Sequence, residues 1–298
     1  MDTRKCNGEN ADMDGKCIIY VFSGTGNTLA VAREYRTALS IETEISGIDE
    51  TSESFPSPDD YDLVGIGYPV HAFNAPPAVR RFCRKLRSNT SRPLFIFHTG
   101  GEGLPFNDSS SFAIRGILSR NGFRIQSEQH YVMPYNMIFR HSNEMVKHMV
   151  TYMRRIVPLH VLKIENGITE KMNMMPVRHI ISVILRIEWI YARAQGKAMK
   201  ANNSCISCGL CARSCPMGNI KMVNGKPQFG TNCTLCVRCS FSCPVNAISI
   251  GLLNRWKVNG EYEIEKIMND DSIPSEIPLE KLSLPYRCYY KKYQNKTY

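Results

Sequence analysis

Eight cysteines in the C-terminal half of this 298-residue chain repeat one pattern twice, and no other feature constrains the fold as tightly. Cys205-x2-Cys208-x2-Cys211-x3-Cys215-Pro216 is followed by Cys233-x2-Cys236-x2-Cys239-x3-Cys243-Pro244. The register runs past the cysteines, with Ile220 and Met222 of the first copy matching Ile248 and Ile250 of the second. Two copies of a small unit are therefore expected around a pseudo-twofold axis. Met1 to Lys16 is polar, without the apolar core of a secretory signal, so the cysteines point to metal over disulfides and to a reducing cytoplasm. Zinc also uses C-x2-C pairs, but it has no use for a third closely spaced cysteine plus proline, twice over. Soft thiolates suit iron–sulfur chemistry. Three cysteines spaced by two residues can hold three iron corners of a cube from one loop, while a fourth, turned away before a proline, serves a second cube. Cys6, Cys17, Cys83 and Cys288 lack such spacing, and Cys17 and Cys83 read as small buried hydrophobes.

Upstream, apolar runs alternate with helical patterns. Cys17–Phe22, Glu44–Ile48, Asp62–Gly67, Pro93–His98 and Phe123–Met133 read as strands bounded by turn residues. Helices are expected through Leu39, after Asn74 and the Pro76-Pro77 pair, from Asp108 to Asn121-Gly122, and from Asn143 to Lys163. This alternation predicts a parallel doubly wound α/β sheet. The expected organisation is a polar extension over 1–16, the α/β domain over 17–165, and a linker and connecting helix over 166–203. A small cysteine-bearing α+β domain follows over 204–252, then a loosely packed extension over 253–298.

Ser23-Gly24-Thr25-Gly26-Asn27-Thr28 stands where the first strand hands over to the first helix. Glycines admit an anion close to the backbone, hydroxyls and N–H groups donate to it, and the helix N-terminus favours its charge. The loop lacks a P-loop lysine and is not G-x-G-x-x-G, which counts against ATP and dinucleotides. With Ala32 in the following helix, it resembles the FMN-phosphate loop of flavodoxins, although Val21 and Tyr35 depart from that pattern. The cysteine repeat resembles bacterial-type two-cluster ferredoxins over about 50 residues, and the whole layout resembles the flavodoxin–ferredoxin fusion proteins of anaerobes. The ferredoxin resemblance implies one [4Fe–4S] cluster on Cys205, Cys208, Cys211 and Cys243 and a second on Cys233, Cys236, Cys239 and Cys215. The flavodoxin resemblance implies an FMN ring between Tyr68-Pro69-Val70-His71-Ala72-Phe73 and Thr99-Gly100-Gly101, with Tyr68 or Phe73 available to stack on it. His71 and His98 read more readily as polar packing residues than as proton donors.

These resemblances imply an electron carrier in which flavin, able to take two electrons and release them singly, is coupled to one-electron clusters. Two alternatives stay open: a flavin- and cluster-dependent reductase of a small molecule, and a ferredoxin with an empty flavodoxin-like docking module. The formal charge of +10 falls to about +6 once two clusters, roughly −2 each, are counted, so nucleic acid is not the expected partner. No acid occurs between Ala201 and Gly260. Arg213 and Arg238 within that stretch either balance the clusters or form a docking face for an acidic redox protein. The basic run from Arg80 to Arg87 reads as a solvated helix face. Met133, Met137, Met145, Met149 and Met153 read as core filling. Val177–Lys197 is apolar with basic flanks. It is expected to be a helix packed between two domains, which makes membrane association unexpected.

Overall fold

The computed structural model describes residues 15–52, 54–172, 176–258 and 260–294; all but two residues of the expected extension 1–16, Cys6 among them, lie outside these. Strands β1 (Lys16–Val21), β2 (Glu42–Gly47), β3 (Leu63–Pro69), β4 (Arg92–Gly100) and β5 (Phe123–Val132) form one sheet in the order β2-β1-β3-β4-β5. Every pair is parallel. This is the flavodoxin-like order of a doubly wound fold, as the sequence predicts. Helices α1 (Asn27–Ala38), α2 (Pro77–Lys85), α3 (Phe112–Arg120) and α4 (Asn143–Glu165) connect or follow the strands.

The inner strands are apolar on both faces because helices cover both. Ile19, Phe95 and Phe97 face Val31, Ala32 and Tyr35 of α1 and Met149, Met153 and Val157 of α4. Ile18, Val64, Ile66 and Ile96 face Ala78, Val79 and Phe82 of α2 and Ile114 and Leu118 of α3. Met133, Met145, Met149 and Met153 are all buried, in keeping with their reading as core filling. Cys17 and Cys83 are buried hydrophobes, their thiols pushed up by burial. Tyr35, where the flavodoxin pattern departs, lies in the core and bonds Tyr131 and His160.

Beyond the sheet come α5 (Pro176–Ile184), α6 (Ile187–Ala198), β6 (Lys200–Ala201), α7 (Leu210–Arg213), β7 (Ile220–Val223), β8 (Lys226–Phe229), α8 (Arg238–Phe241), β9 (Ile248–Ser249), α9 (Ile264–Met268) and α10 (Leu284–Lys291). β7 and β8 form a hairpin turned on Asn224 and Gly225, both at positive φ, as a two-residue hairpin turn requires. β6 pairs with β9 and closes the cysteine-bearing unit on itself.

Two expectations are corrected. The single helix expected over Val177–Lys197 is two helices, and the pair touches both domains, with Asn74 and Arg80 against Ser182, Arg186 and Trp189 on one part and Cys233 against Gly196 on the other. Asn74 is buried, donates to the Ser182 carbonyl and accepts from Arg186, which holds one side of the pair. Ile180, Ile184, Ile187 and Ile190 are exposed on the other side. The C-terminal segment is not loosely packed. Tyr286, Tyr289, Tyr290 and Tyr293 recur at i, i+3, i+4 and i+7, the spacing of one helix face. Tyr290 is fully buried against His148 and Tyr152 of α4, and the Tyr289 hydroxyl donates to the His130 carbonyl. No described helix is long and apolar enough to cross a membrane.

Tyr290→Ala should lower stability to denaturant by about 3–5 kcal/mol, the cost of emptying a buried aromatic site. Tyr290→Phe should be close to neutral, because the Tyr290 hydroxyl has no hydrogen-bond partner among the described residues. Equal losses in both variants would contradict the packing account.

Candidate functional site

The C-terminal ends of β1, β3, β4 and β5 open onto a cavity of about 460 Å³. Its wall includes Ser23, Gly24, Thr25, Asn27 and Thr28 after β1, and Pro69, Val70, His71 and Phe73 after β3. Thr99, Gly100 and Gly101 come from β4 and its loop, and Met133 to Ile138 follow β5. The crevice beyond the carboxyl ends of the strands is where open α/β sheets bind ligands. Gly26, at φ 97°, turns the chain into α1 without a side-chain cap. The backbone N–H groups of residues 24 to 28 find no acceptor among the described residues. The loop's side chains are already held: Ser23 accepts from the Leu29 N–H, Thr28 bonds Thr99 at 2.8 Å, Asn27 donates to the Pro134 carbonyl and Asn136 donates to Thr25. A rigid loop with free N–H donors at a helix start fits a terminal phosphate.

Tyr68 is not in this cavity. It is fully buried, stacked on His98 and bonded to Ser110, which leaves Phe73 as the stacking candidate. Period-two alternation puts Tyr68 on the same sheet face as Val64 and Ile66. His98 is sealed in the core, far below its ordinary pKa through burial and the neighbouring His130. His71 is half-buried at the cavity wall, lowered to about 4 by desolvation despite a bond to the Thr234 backbone. It is neutral at pH 7. The sequence reading missed the loop after β5, where Tyr135 donates to Glu102 and its ring lies over Gly101. It also missed Glu188 and Tyr191 of α6, and burial holds the Glu188 carboxyl above its usual range. The convergence of loops at one end of a doubly wound sheet was the available signal for residues 133–138.

The cysteines gather into two quartets. Cys215, Cys233, Cys236 and Cys239 line one cavity. Cys205, Cys208, Cys211 and Cys243, with Cys239 at its edge, line another. Each quartet takes three cysteines from one copy of the motif and one from the other. No three metal-ligand side chains among the described residues converge as around a single ion; thiolates on the corners of a cube stand wider apart. Backbone N–H groups of Asn219, Leu235 and Ala247 donate to Cys215, Cys233 and Cys243, the bonds that tune cluster potentials. Burial pushes the Cys236 thiol up to about 12 and raises Cys211, Cys233 and Cys239, so loading these thiols must release protons.

The quartet of Cys215, Cys233, Cys236 and Cys239 abuts the crevice at the strand ends. Leu235, between Cys233 and Cys236, forms part of the cavity wall. A Cβ on Gly24 would lie 2.5 Å from the Cys236 carbonyl. Arg238 donates to the carbonyls of Ser23, Gly24 (2.9 Å) and Ser214 (2.9 Å), tying together the phosphate loop and both cysteine motifs. The Glu50 N–H donates to the Pro216 carbonyl at 2.9 Å. Arg238 is therefore half-buried at an internal joint and cannot serve the docking face considered for it. Arg213 is exposed and donates to the Cys208 carbonyl.

A family model described as a 4Fe-4S dicluster domain matches residues 163–219, a span that takes in Cys205, Cys208, Cys211 and Cys215 and ends before the second motif. The chain joins a flavodoxin-like domain to a ferredoxin-type iron–sulfur domain. Solved structures similar to the flavodoxin-like part include a putative flavoprotein from Bacteroides eggerthii at 17% identity, covering 39% of this chain and 88% of that one with a TM-score of 0.31. A Lactobacillus acidophilus flavoprotein in complex with FMN has 14% identity, coverages of 39% and 93%, and a TM-score of 0.31. Oxidised flavodoxin 1 from Bacillus cereus has 13% identity, coverages of 50% and 95%, and a TM-score of 0.35. The assignment of the flavodoxin-like fold rests on the strand order, since likenesses this weak carry no weight of their own. No match was found among curated proteins.

Hydrogen bonds to a charged group are worth roughly 1.5–3 kcal/mol each, and Arg238→Met removes three. The variant should lose the fixed joint between the flavodoxin-like and ferredoxin-type domains while the sheet stays folded. Hydrogen exchange should speed up at Leu29, Ala30 and residues 240–242, whose N–H groups are bonded beside the joint, and stay unchanged in β3 and β4. Uniform protection in the variant would deny the joint its role.

Proposed function

We propose that the chain passes single electrons between FMN in the β-sheet crevice and two [4Fe–4S] clusters, and exchanges them with a separate redox protein. The observation that carries this reading is the position of Leu235, which separates two proposed cluster ligands and also lines the proposed flavin cavity. When bound, the flavin supplies two-electron capacity that the clusters draw on one electron at a time. The chain's own residues divide the work. The N–H groups of residues 24–28 receive the phosphate, and Phe73 and the Gly100-Gly101 backbone flank the ring. Cys233, Cys236, Cys239 and Cys215 hold the inner cluster beside the cavity. Cys205, Cys208, Cys211 and Cys243 hold the outer one, where Cys208 is exposed.

The outer quartet is rimmed by the β7–β8 hairpin, which contributes Met222 and Pro227 to its cavity. The exposed Lys221, Lys226 and Arg213 make this the face for an acidic redox partner. Charges at such a rim act on encounter rate more than on affinity. Residues 17–165 and 204–252 serve as the two cofactor-bearing units, and the free thiolates the clusters require favour a reducing cytoplasm.

Anaerobically prepared protein should contain about eight iron and eight sulfide and one FMN. Thr25→Asp should weaken FMN binding by placing a charge beside the phosphate, leaving iron content unchanged. In rapid-mixing experiments Cys236→Ser should slow electron passage out of the flavin, whereas Cys208→Ser should slow delivery to the partner alone. Stoichiometric zinc without labile sulfide would remove the clusters from the account. Protein that takes up no FMN from excess would make the sheet a docking module. Faster single-turnover oxidation by a small molecule than by carrier proteins would favour the reductase.

A further inference from the structure

We propose that the cleft between α2, α3 and the α5–α6 junction is a second anion site, built for a phosphate-bearing organic molecule and separate from the phosphate loop. The cleft, about 510 Å³, is lined by Arg80, Arg115, Arg120, Lys171 and Arg186 together with Phe112, Gly116 and Ser119, and by no carboxylate among the described residues. It shares no lining residue with the crevice at the strand ends. Read along the sequence, Arg80 belongs to a basic helix face directed to solvent. In the fold it turns inward and meets cations from three other segments.

Among the described residues, the cations lining the cleft outnumber the acids paired with them. Glu128 approaches the group from β5 and pairs with Arg115 at 3.1 Å. Arg80 and Arg186 stand over the same ring, 4.9 and 5.6 Å from the centroid of Trp189. Like charges gathered around one ring repel each other, and burial, Arg186 and Arg84 all disfavour the Arg80 cation. The Arg80 Nε is sheltered from solvent and has no hydrogen-bond partner among the described residues. Guanidinium forks match phosphate oxygens two at a time, so a phosphate dianion would satisfy the donor and relieve the repulsion together.

The shape suits the same ligand. Gly116 sits inside α3, where glycine weakens a helix. A Cβ there would meet nothing nearer than Arg120 Nη1 at 4.0 Å, so glycine keeps the cleft floor open. Phe112, exposed at the rim, gives the organic part of the ligand an aromatic surface. A phosphate can arrive on a free metabolite or on a lipid headgroup, and the exposed isoleucines of α5 and α6 near the cleft make the second source worth a separate arm.

The test uses full-length protein loaded with FMN and iron–sulfur clusters. ADP is titrated by calorimetry in one arm; in the other, protein is sedimented with phosphatidylcholine vesicles with and without phosphatidic acid. Saturable binding is expected in at least one arm. It should weaken tenfold or more in Arg120→Gln/Lys171→Gln, both exposed positions whose loss leaves the core intact. It should weaken comparably in Gly116→Ala, which keeps every charge and adds a methyl to the floor, with melting unchanged or raised as the folding control because alanine favours the helix. Binding by ADP identifies a free ligand, and binding only by phosphatidic acid vesicles identifies a headgroup. No saturable binding in either arm overturns the proposal. So does binding that falls with the charge variant yet ignores Gly116→Ala, because that reports general attraction to a basic protein.

Discussion

One guanidinium sets how the two domains sit on each other. Arg238 reaches across from the second cysteine motif to the carbonyls of Ser23 and Gly24 at the end of β1, and to Ser214 in the first motif. A half-buried cation is costly unless its donors are used, and these three carbonyls use them. The contact also needs Gly24 to have no side chain, since the Cys236 carbonyl occupies the place of a Cβ. On the far side Gly196 of α6 does the same for Cys233. The inner cysteine loop is thus clamped between two glycines on different elements and pinned by one arginine.

This clamp breaks the symmetry of the repeat. The two motifs have the same spacing, but the second is packed under the sheet, with Cys236, Val237 and Phe241 buried, whereas the first presents Ile206 and Cys208 to solvent. A pseudo-twofold unit set against an asymmetric domain acquires an inner and an outer end. Arg213, two residues past the third cysteine of the first motif, stays at the outer end, whereas Arg238, one residue before the third cysteine of the second, falls at the inner joint.

The sheet was legible because each strand is a buried apolar run between turn residues, and that pattern is local. The cysteine quartets were legible through spacing, with the exchange of one ligand between copies carried by the ferredoxin resemblance. Tyr68 was misjudged although its parity with Val64 and Ile66 pointed inward; proximity to the loop outweighed the alternation. The tail was misjudged in the same way, because its lysines drew attention from tyrosines spaced for one helix face. Arg238 was not legible at all. Two of its three carbonyl partners, Ser23 and Gly24, lie more than two hundred residues away.

A tethered carrier and a docked one differ in how distance is set. A flexible tether raises the local concentration of one redox centre near the other but leaves the separation to chance encounters. Here α6 runs directly into β6 and packs on the inner cysteine loop, while Arg238 closes the opposite side. The separation between the crevice and Cys236 is then fixed by packing, so on the proposed function exchange across it would be a first-order property of one molecule. On the same proposal, the variable step would lie at the exposed end, near Cys208 and Arg213, where a partner protein would arrive by diffusion. On that proposal Arg238 would orient the two domains from inside and Arg213 with the lysines would orient the partner from outside, two electrostatic tasks carried by different positions of the repeat.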